Sequence, residues 1–595
     1  MVLKLIFDSH NTYLAQRAKR ILAAHKIEAK VTQERDIYIE AEDIVEASKI
    51  LENELYNSLF FKGAEVVDEA RGDEAKLMPY SLGVCPRCIK QMLDPNSRRY
   101  FYPFSSCATC SNQAAFANFP YTRQNSLFSA FKPCKECQME QAQNPYFKDY
   151  PLISCSNCNV PIVVRDKAKE FWANESSEFK EAFSILANAL RKGKKVAIKH
   201  VDGYRTYSLR PFPGAKLLIA NAALALPKLL LLHQEKSALF SIERPQIFAT
   251  VASSELKEQI GDIARVITFD DGFSFLLISL LQDEAFLFYE ESSEADLVMD
   301  YLLEPKRYAP LKLLQIKRHR VFEGERALLP KPLASQQCVV EGEYVLYDGV
   351  LDKKDSFEEI VCSEVVAFDD TIEHSNIKRA ELAPAALASV AKEHGIEDKM
   401  LGFYFGKQKQ FYYYDKKRWR LIFDFGQIPQ NLEQAIAIAR KGSDKLIQNF
   451  LGRFNVDIES GDFWQRAARI IGVDGGYEEL RLIGMHYGGK SGVSIDCRVQ
   501  EDRFSYEAFY ASLMSFRLAE AKSTLLAYSI FESLGEFVSQ QLRSLGAELK
   551  VEHFLLAGKF ITNSPFMSRF TRNVPNVKLN QEFPTDGFNG IYGVL

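Results

Sequence analysis

The sequence predicts a multidomain α/β and α+β protein with a double zinc-finger segment set into it. Three observations predict this class. The chain has 595 residues, and single hydrophobic cores stop growing at roughly 250–300, so roughly three or four domains are expected. Its opening stretch alternates strand and helix patterns in β-α-β-β-α order. Eight of its eleven cysteines form four CxxC pairs between Cys85 and Cys158.

Composition narrows the function classes. With 47% apolar and 26% charged residues the chain has ordinary globular usage. A net charge of −4 and a pI near 6.2 argue against a broad basic face, so nucleic acid is not expected as a partner. MVLKLIFDSHNTYLAQRAKR turns polar without the apolar core of a leader, which makes the cytoplasm the expected location. The apolar stretch AKLLIANAALALPKLLLLHQ (Ala215–Gln234) is broken by Pro227 and Lys228. It falls short of the ~20 residues a membrane span requires; a buried helix or a strand pair is expected instead.

The elements follow in order. VLKLIFD alternates as a strand. NTYLAQRAKRILAAHKI has helical spacing (Leu14, Ala18, Ile21, Leu22) with Asn11 as N-cap. KVTQERDIYIEAE predicts one or two strands, and AEDIVEASKILENELYN a second amphipathic helix. That order is a split βαβ, the ferredoxin-like expectation for residues 1–72. Residues 80–162 hold the cysteines amid aromatics, Pro, Asn and Ser, with little periodicity and little core of their own, so a metal must hold them. AKEFWANESSEFKEAFSILANALRKG predicts a helix, and a strand-rich region opening with KKVAIKHVDGYRTYSL completes a domain over 163–332. Over 333–595, strands (EYVLYD, GFYFG, QFYYYD, RWRLIFDFG) mix with long amphipathic helices.

A CxxC turn places two thiolates on one side of a knuckle, and two knuckles make the tetrahedral set that Zn²⁺ accepts without redox chemistry. Eighteen residues separate the first two pairs and seventeen the last two, both within zinc-site range. Two structural Zn(Cys)₄ sites are therefore predicted: Cys85, Cys88, Cys107 and Cys110; and Cys134, Cys137, Cys155 and Cys158. Spacing alone leaves the pairing of knuckles open. A disulfide framework needs an oxidising compartment, and iron–sulfur ligand sets have other spacings. Cys338, Cys362 and Cys497 stand apart, as small buried hydrophobes usually do.

The residues between these cysteines carry a resemblance. CPRCIKQMLDPNSRRYFYPFSSCATC, followed by PYTR and the second set of knuckles, resembles the double zinc-finger segment of the HypF family, carbamoyltransferases of [NiFe]-hydrogenase maturation. The opening split βαβ is similar to that family's acylphosphatase-type domain. KKVAIKHVDGYRTYSL, with Lys199, Gly203 and Tyr204, resembles the opening of its YrdC-type nucleotide domain. DFWQRAARIIGVDGGYEE, LAGKFITN and FPTDGFNGIYG resemble the closing segments of its actin-like ATPase domain. The resemblance implies carbamoyl phosphate hydrolysis at the first domain, adenylation of the carbamate with ATP at the second, and transfer by the third to the C-terminal cysteine of a HypE-type partner. It places a nucleotide at Lys199, Gly203, Gly558, Asn563 and Asp586, with Lys199 and Asp586 as the catalytic candidates.

This chain departs from the family at each station. Where the family has a glycine-rich phosphate loop ending in Arg, this sequence reads FDSHNTYLAQRAKR; Arg17 and Arg20 fall in a helix pattern and read as a solvated face. Lys199 reads equally as a surface charge on a strand. The basic run leading to K-P-F-A is replaced by ALALPKLLLL. No two of the nine histidines share a helix face and no D-G-T-G loop occurs, so the C-terminal domain is expected to be degenerate. Lys559 follows Gly558 where the family has a second glycine, and would crowd a phosphate. GMHYGGKS (Gly484–Ser491) matches the G-x-x-x-x-G-K-S phosphate loop, which needs a strand before it and a helix after. ELRLIG and GVSIDCRVQ read instead as two strands around a hairpin. The expectation is a maturation or accessory protein acting as a zinc-stabilised scaffold beside a HypE-type protein or a hydrogenase subunit. The alternative is a working carbamoyltransferase.

Overall fold

The structure, a computed structural model, describes residues 2–7, 13–74, 82–110, 116, 122–124, 126–304, 312–316, 319–324, 338–341, 343–348, 361–362, 377–439, 442–585 and 590. Contacts divide the chain into two compact units, Met1–Leu313 with Gly324–Gln337, and Leu314–Glu323 with Cys338–Leu595. The boundaries read from the sequence at 72, 80 and 162 all fall inside the first unit.

The first unit opens with β1 (Val2–Phe7), α1 (Tyr13–Ala24), β2 (Ala29–Gln33), β3 (Ile37–Ala41), α2 (Ile44–Glu54), β4 (Phe61–Val67) and the short β5 (Asp73–Glu74). The sheet order is β4-β1-β3-β2-β5, with antiparallel neighbours. This is the ferredoxin-like arrangement. Sequence reading missed β4 because it is an edge strand, exposed along most of its length, so no alternation marks it. Asp43 caps α2 through Glu46 N at 2.9 Å. Asn11, the expected cap of α1, lies outside the described residues.

Helix α1 corrects one reading. Leu14, Ala18, Ile21 and Leu22 are buried, but Arg17 (1% exposed) and Arg20 (7%) are buried too. Their face of α1 is covered by the cysteine segment rather than by water: Arg20 Nη1 donates to the carbonyl of Pro145.

Within the cysteine segment, α3 (Pro86–Leu93) and α4 (Lys135–Gln143) each begin one residue after a cysteine. The segment does acquire a core, and it is aromatic. Phe104 packs edge-on against Phe116 and Phe128, and against Phe273 and Tyr301 of the following region, all at ring-centroid distances of 5.2–6.0 Å. A Cβ on Gly272 would sit 2.1 Å from the Pro103 carbonyl oxygen, so only glycine allows this approach.

The following sheet comprises β6 (Ile162–Arg165), β7 (Glu170–Ala173), β8 (Val196–His200), β9 (Gly203–Ser208), β10 (Lys216–Ile219), β11 (Leu229–Leu230), β12 (Gln246–Val251), β13 (Ile263–Ile267), β14 (Phe286–Glu290) and β15 (Leu297–Tyr301). Its order is β12-β13-β10-β14-β9-β8-β15-β6-β7, with β11 on β12. The stretch expected as one helix from Ala168 splits into β7, paired with β6, and α5 (Ser176–Arg191). Ala215–Gln234 contributes two strands, as one of its two readings had it, though these pair with other strands rather than with each other. Among the described residues no helix is long and apolar enough to cross a membrane.

In the second unit, β16 (Met400–Phe405), β17 (Lys409–Tyr414) and β18 (Trp419–Asp424) form an antiparallel meander. β19 (His553–Ala557) returns parallel to β16, with Gly402 opposite Leu555. Helices α6 (Leu382–Glu393) and α8 (Ser523–Leu549) pack on this sheet, and α7 (Tyr477–Met485) and α9 (Ser564–Asn573) pack on α8.

Helix α7 overturns the hairpin reading of GMHYGGKS. ELRLIG is helical, because Glu478 and Glu479 occupy its first turn, Glu479 accepts from Gly476 N at 2.7 Å, and buried Arg481 pairs with Glu323 at 2.7 Å. Of GVSIDCRVQ only Val499–Gln500 form a strand, paired with Arg503–Phe504; the rest bonds to α8 instead, the N–H groups of Gly492, Val493 and Ile495 donating to Glu532, Ser529 and Ser533 at 2.7–3.0 Å. Gly484 is a packing glycine, whose Cβ would lie 3.2 Å from Tyr528 N. A phosphate loop needs strand–loop–helix; here the order is helix, then irregular chain.

Candidate metal centre

Each foursome begins with a helix start. Cys85 and Cys134 occupy the N-cap positions of α3 and α4, and Cys88 and Cys137 follow three residues later on the same face. Pro86 at the first helical position of α3 fixes the turn. The structure brings Cys85, Cys88, Cys107 and Cys110 together, and separately Cys134, Cys137, Cys155 and Cys158, with all Sγ atoms of a set within 4.8 Å of one another.

The spacing within each set tests the fit to zinc. Zn–S bonds near 2.3 Å place neighbouring sulfurs of a tetrahedron about 3.8 Å apart. In the first set the Cys85–Cys107, Cys107–Cys110 and Cys88–Cys110 separations are 3.7, 3.8 and 3.9 Å. In the second, Cys137–Cys158, Cys134–Cys155 and Cys155–Cys158 are 3.7, 3.8 and 3.9 Å. These distances are far too long for disulfides. Two closed thiolate sets of this size take two structural zinc ions, and closed sets have no open position for substrate.

The sets differ in their surroundings. All four cysteines of the first are fully buried, with Thr109 Oγ1 2.9 Å from Cys107 Sγ. In the second, Cys134 and Cys158 are half-buried, and Arg98 Nη1 lies 3.5, 3.4 and 3.2 Å from Sγ of Cys134, Cys137 and Cys155. Arg99, 2% exposed, donates to Glu140 Oε2 at 2.7 Å and to the Ser154 carbonyl at 3.0 Å. Arg123 of PYTR donates to the carbonyls of Pro151 and Ile153 at 3.0 and 2.8 Å. The basic residues of the motif are thus the stitching of the fingers.

The remaining expected residues lie elsewhere. Lys199, on β8, is not a solvated surface charge: it is 6% exposed, 3.3 Å from Asp300, ion-paired with Glu304, and donates to the Tyr301 carbonyl at 3.2 Å. Its neighbours form a buried polar network that sequence reading did not anticipate. His200 Nδ1 lies 2.6 Å from Asp271 and Nε2 2.9 Å from the Tyr207 hydroxyl, while Arg205 forks onto Asp270 at 3.0 and 2.8 Å. Gly203 opens β9 directly after the β8–β9 turn, opposite His200, at φ +124° with open space around it. Asn563 caps α9 through Phe566 N at 3.2 Å. Asp586 lies outside the described residues.

In the second unit a cavity of about 370 Å³ sits beside the β16–β17 turn, lined by Lys407, Asp462, Trp464, Tyr477, Lys559 and Phe560 among others. Gly558 closes β19 at φ +107°, where a Cβ would lie 2.5 Å from the Phe405 backbone, so this glycine serves close chain approach. Lys559 projects its side chain, 47% exposed, beside the cavity, 4.0 Å from Glu478.

Known proteins resemble this chain at two levels. Residues 84–115 match the HypF finger family model. The probable carbamoyltransferase HypF of Methanocaldococcus jannaschii is 37% identical over 59 residues, 10% of this chain and 8% of that protein. Protein HydE of Wolinella succinogenes is 23% identical over 297 residues, 44% of this chain and 52% of HydE. The matched stretches therefore span less than a tenth and about half of these two relatives. A crystal structure of full-length HypF in its phosphate- and nucleotide-bound form matches over 100% of this chain and 97% of its own, with a TM-score of 0.62 at 14% identity. The chain carries a HypF finger by sequence and the fold of full-length HypF along its length.

Proposed function

We propose that this chain is a HypF-like accessory protein of [NiFe]-hydrogenase maturation, a zinc-stabilised scaffold with reduced or lost carbamoyl phosphate and ATP chemistry. The observation that carries the reading is the state of Lys199. A lysine that is to meet a phosphate must present its ammonium to solvent or ligand; this one is turned inward onto Asp300, Glu304 and a carbonyl. The first station supports the same reading, since Arg17 and Arg20 are committed to the interior and FDSHNTY offers no glycine-rich loop. The partner this reading implies is a HypE-type maturation protein or a hydrogenase subunit.

One observation favours the second reading, a working carbamoyltransferase. The cavity beside Gly558 sets two lysines, Lys407 and Lys559, among two carboxylates, Glu343 and Asp462. With aromatic side chains from Trp464, Tyr477 and Phe560, it gives room and aromatic surface for a planar base such as that of ATP. The deciding experiment gives the purified zinc-loaded protein carbamoyl phosphate and ATP and measures release of AMP and pyrophosphate. Folded protein is expected to release neither. Carbamoyl-phosphate-dependent AMP, abolished by Lys199→Ala, would replace the scaffold by the enzyme.

A further inference from the structure

Four thiolates around Zn²⁺ carry a net charge near −2, and burying such a charge requires compensating cations or hydrogen-bond donors. The second zinc set has Arg98 from within the cysteine segment. The first set lies deeper; among the described residues the segment itself gives it the Thr109 hydroxyl but no cation, and the cations near it come from outside. Tyr56, two residues beyond α2, brings its hydroxyl to the Cys85–Cys88 knuckle, where the oxygen accepts from Arg87 N at 3.3 Å. The Arg17 guanidinium covers the Tyr56 ring, 2.9 Å from its centroid. Arg17 is 1% exposed, and its three guanidinium nitrogens have no hydrogen-bond partner among the described residues. One turn later Arg20 reaches the Pro145 carbonyl, and the Tyr146 hydroxyl returns to Glu54 at 2.9 Å.

A buried guanidinium without hydrogen bonds is costly unless an anion lies near it. The ring it covers carries its hydroxyl to the backbone of the Cys85–Cys88 knuckle of the first set. We propose that the N-terminal ferredoxin-like region is the cap of the first zinc site. Arg17 and Arg20 offset the charge of the zinc–thiolate set, Tyr56 donates to Cys85, and together they seal the site from water and competing ligands. This gives the region a function that needs no phosphate loop. It also accounts for the full burial of the four thiolates of the first set. The inference rests on zinc occupancy and stands whether the chain is scaffold or enzyme.

The test uses the full-length, zinc-loaded protein challenged with a chromogenic chelator, while alkylation mapped by mass spectrometry reports which cysteines have been freed. The unaltered protein should release zinc in two phases, the fast one from Cys134, Cys137, Cys155 and Cys158. Tyr56→Phe and Arg17→Met should speed the slow phase about 10–100-fold, the usual effect of losing an outer partner of a metal ligand, and leave the fast phase alone. A slow phase unchanged in both variants would overturn the proposal. Tyr56→Phe removes one oxygen, so it reports even where Arg17→Met folds poorly. Hydrogen exchange on the unaltered protein supplies a second readout. Stripping zinc should deprotect α1 while β8 and β9 stay protected; unchanged protection of α1 would also sink the idea.

Discussion

The guanidinium of Arg98 lies 3.2 Å from Sγ of Cys155, 57 residues further along the chain. Arg98 belongs to the loop between the first two knuckles, yet it serves the second zinc set, and its own carbonyl accepts from Ser156 N at 3.0 Å and from Ser156 Oγ at 2.9 Å. The two fingers therefore share one charge arrangement. Arg98→Ala should weaken zinc at the second set about 10–100-fold, while Arg98→Lys, a point charge without the planar fork, recovers part of it. Chelator competition at equilibrium measures both variants. Equal affinity in all three proteins would make Arg98 a bystander.

Zinc stoichiometry separates the sets. The unaltered protein should hold two equivalents. Cys155→Ser should hold one and keep most of its thermal stability, because its set is partly open to solvent at Cys134 and Cys158. Cys88→Ser should also hold one but lose far more, because its set is fully buried. Binding energy at such sites is folding energy. Metal analysis with differential scanning calorimetry checks both; equal destabilisation by the two variants would contradict the burial difference.

What the sequence made legible, and what it hid, follows from the range of the forces involved. The cysteine sets could be read because CxxC spacing is local and metal geometry is strict; the pairing of knuckles waited on three dimensions. The ferredoxin-like opening could be read from periodicity, except for β4, whose exposed edge residues alternate with nothing. Arg17, Arg20 and Lys199 were misjudged for one reason: a charged residue at a periodic position looks solvated until the element covering it is known, and those elements are distant in sequence. GVSIDCRVQ has strand composition, but its partners are serines on α8, which no local pattern announces.

The misjudged lysine yields a stability prediction. Lys199 and Asp300 form a pair that is mostly buried on the lysine side and partly open on the aspartate side, with side chains 8% and 17% exposed. Removing one member of a buried pair strands the other; with this partial exposure Lys199→Ala should cost about 1–3 kcal/mol. Lys199→Ala with Asp300→Asn should cost less than the sum of the single changes. Urea denaturation of the four proteins completes the cycle, and strict additivity would show that the pair does not couple. Nucleotide affinity should be the same in all four.

A final prediction concerns Glu393, at the end of α6, which holds residues 580–583 through Asn580 Nδ2 at 2.8 Å, Gln581 N at 2.6 Å and Phe583 N at 3.2 Å. Burial, and the Glu582 carboxylate beside it, push Glu393 up to about 8 from an ordinary 4.5. With the folded value raised, the unfolded chain gives up this proton first as pH increases. The stabilising contribution is whole below about pH 4.5 and is lost as pH rises through about 8. Over that window stability should fall by a few kcal/mol at most, because each tenfold difference in proton affinity between the folded and unfolded chain is worth about 1.4 kcal/mol. Glu582→Gln removes the neighbouring charge, leaves burial in place, and should flatten the slope without abolishing it. Unfolding midpoints at pH 5, 6.5 and 8.5 decide the matter: parallel curves for the two proteins would show that Glu582 does not set the proton affinity of Glu393.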